Sequence, residues 1–183
     1  MTAPVQPSKR PRLAPYVAIV VAVVLALFVV LLATREDQVA STSPLLDKPA
    51  PPIVGTGFRG EQFDLAAQHG RWVVVNFFST ACIPCIQEHP ELVEFHQRHG
   101  DAAEIVSVTF DDKPESVRQF FEENGGDWPV LLENTGPIAV SYGVVAVPES
   151  YLVDPFGVVR ARILGGVKAE DLERWTGLGG EPA

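Results

Sequence analysis

Cysteine is nearly missing from this chain: Cys82 and Cys85 are the only two among 183 residues. Four thiolate ligands for a structural zinc site cannot be assembled from them, and no second Cys-x-x-Cys exists to complete such a site. A static bridge between the two closes so small a loop that it removes little chain entropy and stabilises little. Positive charge is scarce as well, with 14 Lys and Arg against 23 Asp and Glu and a formal net charge of −9. Its one concentration is at the N-terminus, in Lys9, Arg10 and Arg12, and no basic face for nucleic acid is visible. No histidine occurs after His99, and no internal repeat is visible.

What is present is apolar. Hydrophobic residues make up 46% of the chain, with three Trp and ten Phe, ample for a core of ordinary size. The length suits one domain plus appendages. Residues 1–15 are polar, basic and Pro-rich and read as a disordered cytoplasmic tail. Residues 16–33 form an 18-residue run without charge, just long enough to span a bilayer core as a helix and lacking the polar face of a core helix. The basic flank precedes the run, which places the N-terminus in the cytoplasm and everything after Ala33 outside. A cleaved signal peptide is the competing reading, and the length of the run favours an uncleaved anchor. Either way the domain faces an oxidising compartment. Residues 34–49 carry Ser41, Thr42, Ser43, Pro44 and Pro49 and read as an extended linker.

The folded domain is expected over residues 50–177, with 178–183 as a tail. Residues 53–58 and 62–65 alternate around Arg59-Gly60-Glu61 as a small hairpin. The β-branched run Trp72-Val73-Val74-Val75 places a buried strand over 71–78. A helix follows over 82–99, with Ser79 or Thr80 as candidate cap, Gly100 as stop and Pro90 as an expected kink. A second buried strand lies over 104–110 and a second helix over 114–124, closed by Gly125-Gly126, with Asp111-Asp112 as its cap rather than as a cation site. A short strand is expected over 130–132 and a short helix over 137–142. Strands over 149–154 and 158–164 flank the turn Pro155-Phe156-Gly157, and a last helix covers 168–175. Strands alternate with helices and a hairpin ends the sheet, which gives an α/β fold with a mixed sheet flanked by helices. Trp72, Trp128 and Trp175 are assigned to the core.

Cys82 and Cys85 sit where the strand ends and the helix begins. At a helix N-terminus free N–H groups and the dipole favour a thiolate on the first sulfur. The second is close enough to displace a mixed disulfide formed on the first. Cys-x-x-Cys beside a βα pattern is therefore read as a redox pair ahead of a metal site or an inert pair. His89, His96 and His99 follow on the same helix. His96 and His99 stand three residues apart and His89 four beyond Cys85, spacings a metal could use, but an outward polar face accounts for them.

The segments Val74-Val75-Asn76-Phe77-Phe78-Ser79-Thr80-Ala81-Cys82-Ile83-Pro84-Cys85 and Tyr142-Gly143-Val144-Val145-Ala146-Val147-Pro148-Glu149-Ser150, with Pro90 and the hairpin ending in Gly165, resemble the thioredoxin fold. More narrowly they resemble the membrane-anchored, extracytoplasmic TlpA/ResA/DsbE type, several of which serve cytochrome c maturation. The resemblance implies that Cys82 attacks and Cys85 resolves, that Pro148 is a cis-proline beside the disulfide, and that the Val147 backbone pairs with an extended partner segment. It implies an acid–base role for Glu149, whose carboxylate near the thiols would be desolvated. Asn76 stands where thioredoxin has a buried acid, and an amide cannot titrate. Ala81 replaces the Trp usual in the family, which reduces the apolar platform beside Cys82.

The implied partners are protein thiols and disulfides, such as apocytochrome c or proteins handling it, together with a transmembrane thiol reductase of the CcdA/DsbD type that re-reduces the pair. No cofactor is expected. The direction of electron flow stays open, since an oxidant shares fold and motif. A copper-delivery module using both thiolates and a histidine is the alternative from another class. A peroxidase lacks the proline expected before Thr80, and Thr80 stands two rather than three residues ahead of Cys82.

Overall fold

The computed structural model describes residues 14–33, 39–40, 43–110 and 112–180. Most of the two expected tails, and Asp111, lie outside the described residues. The chain divides into two compact units, and only the first, ending at Asp37, holds α1 (Ala14–Ala33). This 20-residue helix forms over the uncharged run. Among the described residues no helix is long and apolar enough to cross a membrane, so the expected span over 16–33 is seen as a helix and no more.

The second unit, Gln38–Ala183, carries the sheet. Its central strands are β4 (Trp72–Phe78) and β5 (Ala103–Thr109), paired in parallel from Trp72 opposite Ala103 to Phe78 opposite Thr109. Val73, Val75 and Phe77 face one side with Tyr142 of α4 (Thr135–Tyr142). Val74 and Phe78 face the other, with residues of α2 (Ile83–His99), α3 (Pro114–Asn124) and α5 (Ala169–Thr176). Covering on both faces is why β4 reads as a continuous apolar run rather than an alternation. Asn76 is the exception and points into the α2 side.

On one flank β5 pairs in parallel with β6 (Val130–Leu131). On the other, β4 pairs antiparallel with β7 (Glu149–Val153), and β7 with β8 (Val159–Leu164). The last strand is β1 (Val39–Ala40), antiparallel to β8. The full order is β1-β8-β7-β4-β5-β6. A separate hairpin, β2 (Val54–Thr56) and β3 (Gln62–Asp64), matches the one expected around Gly60, and a 3-10 turn, Leu65–Gln68, follows it.

Of the stretch assigned to a linker, the described residues 39–40 and 43–49 lie against the domain instead. Besides β1, Leu45 and Leu46 pack on the core, and Asp47 N–H and Ala50 N–H donate to the carbonyls of Val159 and Gly157. The free edge of β8 offers backbone groups that need partners, and residues 39–40 and 47–50 supply them. At the other end Leu178 also packs against the core. Trp128 is buried and Trp72 partly so, but Trp175 is exposed, contrary to its assignment to the core.

Candidate functional site: the end of the central strands

β4 delivers the chain to the site, and the turn after it is tightly held. Cys82 N–H donates to the Ser79 carbonyl at 3.1 Å, and Ala81 N–H to Ser79 Oγ at 3.3 Å. The cap of α2 is Cys82 itself, not Ser79 or Thr80: its Sγ accepts from Cys85 N–H at 3.3 Å, with Pro84 in the first turn. Ser79 and Thr80 are occupied differently, because both bond to Asp112. Asp112 in turn does not cap α3, whose cap position is Lys113 without a side-chain bond. Helix α2 continues through Pro90 to His99.

Cys82 and Cys85 are joined in a disulfide. Their surroundings differ: Cys85 is 2% exposed within the α2-side core, while Cys82 is half-buried between exposed Ala81 and Ile83. Cys82 Sγ lies 3.6 Å from the carbonyl oxygen of Val147, and the next peptide, Val147–Pro148, is cis. The sequence-separated residues Ala81, Cys82, Cys85, Val147 and Pro148 thus meet at one end of the sheet. A cavity of about 470 Å³ opens beside them, lined by Pro84, Val145, Val147, Pro148, Glu149 and Arg162 among others.

Glu149 is 1% exposed and so is not a solvated strand residue. Its Oε1 accepts from Arg162 Nε at 2.6 Å and lies 2.7 Å from the Tyr151 hydroxyl, which also reaches the Tyr142 carbonyl at 2.6 Å. Its Oε2 is buried with no hydrogen-bond partner among the described residues. Burial, and then the adjoining Glu149, push the Tyr151 pKa up, which keeps that hydroxyl a donor.

Reasoning from the sequence missed Glu88. It is 4% exposed on the α2 side of the sheet. Its Oε1 accepts from Asn76 Nδ2 at 2.8 Å and its Oε2 from Val167 N–H at 3.0 Å. Burial raises its pKa to about 7 against these two bonds, which lower it. Asn76 passes the network on: its Nδ2 also donates to Ser150 Oγ, its Oδ1 accepts from Ser107 Oγ, and Ser107 Oγ accepts from Trp128 Nε1. The position under the pair that lacks a titratable group at Asn76 therefore has one a single side chain away. The signal was in the helix: Cys85, Glu88, His89, Leu92 and Phe95 recur at helical spacing on one buried stripe.

The histidines do not form a metal face. His89 is buried, its ring edge-on to Phe120 and Phe121 and its Nε2 3.0 Å from the Gly125 carbonyl; burial lowers its pKa. His96 bonds Asp127 and His99 bonds Glu173. Among the described residues no group of three or more His, Cys, Asp or Glu side chains converges as a metal site.

Comparison with known proteins agrees with this geometry. The family model described as AhpC/TSA family matches residues 46–162. The thiol–disulfide oxidoreductase ResA of Bacillus thuringiensis subsp. konkukian is 31% identical over 131 residues, 71% of this chain and 76% of that protein. Among solved structures, the thioredoxin domain of a thiol–disulfide oxidoreductase from Bacteroides vulgatus superposes with a TM-score of 0.65 at 27% identity, covering 73% of this chain and 99% of that one. A putative thiol:disulfide interchange protein DsbE from Chlorobium tepidum gives 0.64 at 27%, covering 71% and 95%.

Proposed function

Since this chain belongs to the AhpC/TSA family, with the thioredoxin-like fold and the Cys-x-x-Cys pair of a ResA/DsbE-type thiol–disulfide oxidoreductase, we propose that it is a membrane-tethered reductant of disulfides in partner proteins outside the cytoplasm. One observation carries the reading: an accessible sulfur at the N-terminus of α2, a buried one a turn behind it, and the Val147–Pro148 peptide against the first.

Cys82 is the attacking residue. In the reduced protein its thiolate is favoured by the amides of the first turn of α2. It attacks one sulfur of the partner disulfide; the new bond joins Cys82 to the partner, and the partner's other sulfur leaves as a thiolate and takes up a proton. Cys85 then loses its proton and attacks Cys82. The Cys82–Cys85 bond re-forms, the partner's second sulfur leaves, and two electrons have passed to the partner. Glu88, three residues beyond Cys85 on the same buried stripe of α2, is the candidate base, and a pKa of about 7 suits it to take up a proton near neutrality. The extended partner segment pairs with the Val147 backbone over Ala81 and Pro148. Glu149 lines the cavity beside that site, keeps one carboxylate oxygen without a hydrogen-bond partner among the described residues, and serves as a second acid–base group.

The tether in this reading is the uncharged run 16–33 behind Lys9, Arg10 and Arg12, whose basic flank puts the N-terminus in the cytoplasm and the second unit outside. The resemblance to the TlpA/ResA/DsbE type supports apocytochrome c or its handling proteins as partner, and a transmembrane CcdA/DsbD-type reductase as electron donor. His89 gives a copper-delivery reading no support, because its Nε2 is engaged with Gly125.

Two measurements test the proposal. Cys82→Ser abolishes reduction of a protein disulfide, whereas Cys85→Ser accumulates a mixed disulfide through Cys82; undiminished turnover by Cys82→Ser overturns the reading. A reduction potential near or below about −220 mV places the protein among reductants, and one near about −120 mV makes it an oxidant.

A further inference from the structure

We propose that Asp112 is a positioning residue that sets the thiolate character of Cys82, and through it the redox poise of the pair, by holding the turn ahead of that cysteine and fixing a negative charge beside it. Asp112 comes from the loop between β5 and α3. It accepts the Thr80 N–H at 3.1 Å on Oδ1 and 3.2 Å on Oδ2, the Thr80 hydroxyl at 2.5 Å and the Ser79 hydroxyl at 3.3 Å. Ser79 in turn accepts the N–H groups of Ala81 and Cys82. The whole approach to the first sulfur therefore hangs on one carboxylate from a distant loop. Among the described residues no other carboxylate bonds the segment 79–81.

The charge matters as well as the bonds. The carboxylate bonds the backbone N–H of Thr80, two residues ahead of Cys82, so its charge is fixed on the turn that carries the sulfur. The amides of α2 favour a thiolate on Cys82 and the carboxylate of Asp112 opposes it. A dithiol whose thiolate is less stabilised is a stronger reductant, because its reduced form is less favoured. The other ionisable groups facing this end of the sheet bond residues outside the segment 79–81, among them Glu123 of α3, which lines a cleft with Thr80 and bonds Gln119. Glu88 of α2 is bound to Asn76 and Val167, His89 to Gly125, and Glu149 of β7 to Arg162 of β8. Lys113, next to Asp112, is exposed. Asp112 is thus placed to bias the pair toward donating electrons.

This inference rests on Cys82 being the attacking residue, and the test separates the two. The full chain in detergent is reduced and alkylated with iodoacetamide across a pH series, with the modified cysteine identified by mass spectrometry; its equilibrium with a reference dithiol is measured in parallel. Asp112→Asn keeps an acceptor for the turn and removes the charge. Its Cys82 alkylation midpoint falls by about half a pH unit or more, and its equilibrium constant shifts about three- to tenfold toward oxidising the reference, tenfold being about 30 mV. Both differences shrink in about 1 M salt, where screening is within about 3 Å. Asp112→Ala shows the same shift with a lower unfolding midpoint. An Asn variant whose alkylation midpoint is unchanged and whose equilibrium constant lies within twofold of the parent's overturns the inference and leaves Asp112 a structural cap. Alkylation of Cys85 before Cys82 in the parent overturns the attacking-residue reading and the inference with it.

Discussion

Glu88 is buried with a pKa raised to about 7 from an ordinary 4.5. Its proton is bound more tightly in the folded than in the unfolded chain. The stability this group contributes is full below about pH 4.5 and is lost as pH rises toward and through 7, on the order of 3 kcal/mol in all at 1.36 kcal/mol per pH unit. Glu88→Gln removes the titration, so the fall in unfolding free energy between pH 4.5 and 7 flattens in denaturant melts. A constant loss of about 1–3 kcal/mol accompanies it, since one amide oxygen cannot serve both Asn76 and Val167. If the slope survives, the titrating group is another one. The sequence shows that Asn76 cannot carry a proton, but not which acid stands in for it. Glu149 is adjacent to Pro148 in the chain and Glu88 is adjacent to Asn76 only in space. A polar residue on an apolar helical stripe was the available sign.

At the scale of elements, the strands and helices were legible because each has one dominant local signal. The residues of α3 follow from Pro114 at its start and Gly125 at its end. The β7–β8 hairpin follows from Pro155-Phe156-Gly157. What tertiary contacts decide was not legible: Asp112 was assigned to the helix it precedes, yet its carboxylate is taken by donors of the β4–α2 turn, which lies far off in sequence. The turn after α3 has its own requirement. Gly126 has φ +95°, and a Cβ there would meet the Trp128 ring at 2.8 Å. Gly126→Ala is expected to lower stability by about 1–3 kcal/mol through left-handed backbone and displaced indole together. Trp128 emission during urea unfolding reads the change, and an unaltered midpoint argues that the turn relaxes freely.

For the molecule as a whole, the α/β class and the mixed sheet were readable, but the edge was not. Residues 39–50 are rich in Ser and Pro and carry only short apolar stretches, so they read as spacer. The placement of residues 39–40 and 47–50 depends on backbone groups of β8 and the turn before it that no local pattern announces. A chain beginning at Pro51 is expected to melt about 5–10 °C below one beginning at Val39, from the lost contacts of Leu45 and Leu46 and the bared edge. It should also aggregate more readily, which light scattering during the melt records. Equal melting points would mean that the strap adds nothing to the domain.

Cys82 and Glu149 stand at the ends of β4 and β7, the paired strands at the middle of the sheet, buried on both faces. Such strands are the last part of a fold to open. Opening of the outer elements therefore leaves these two strands paired, while the turn that carries Cys82 depends as well on the β5–α3 loop through Asp112.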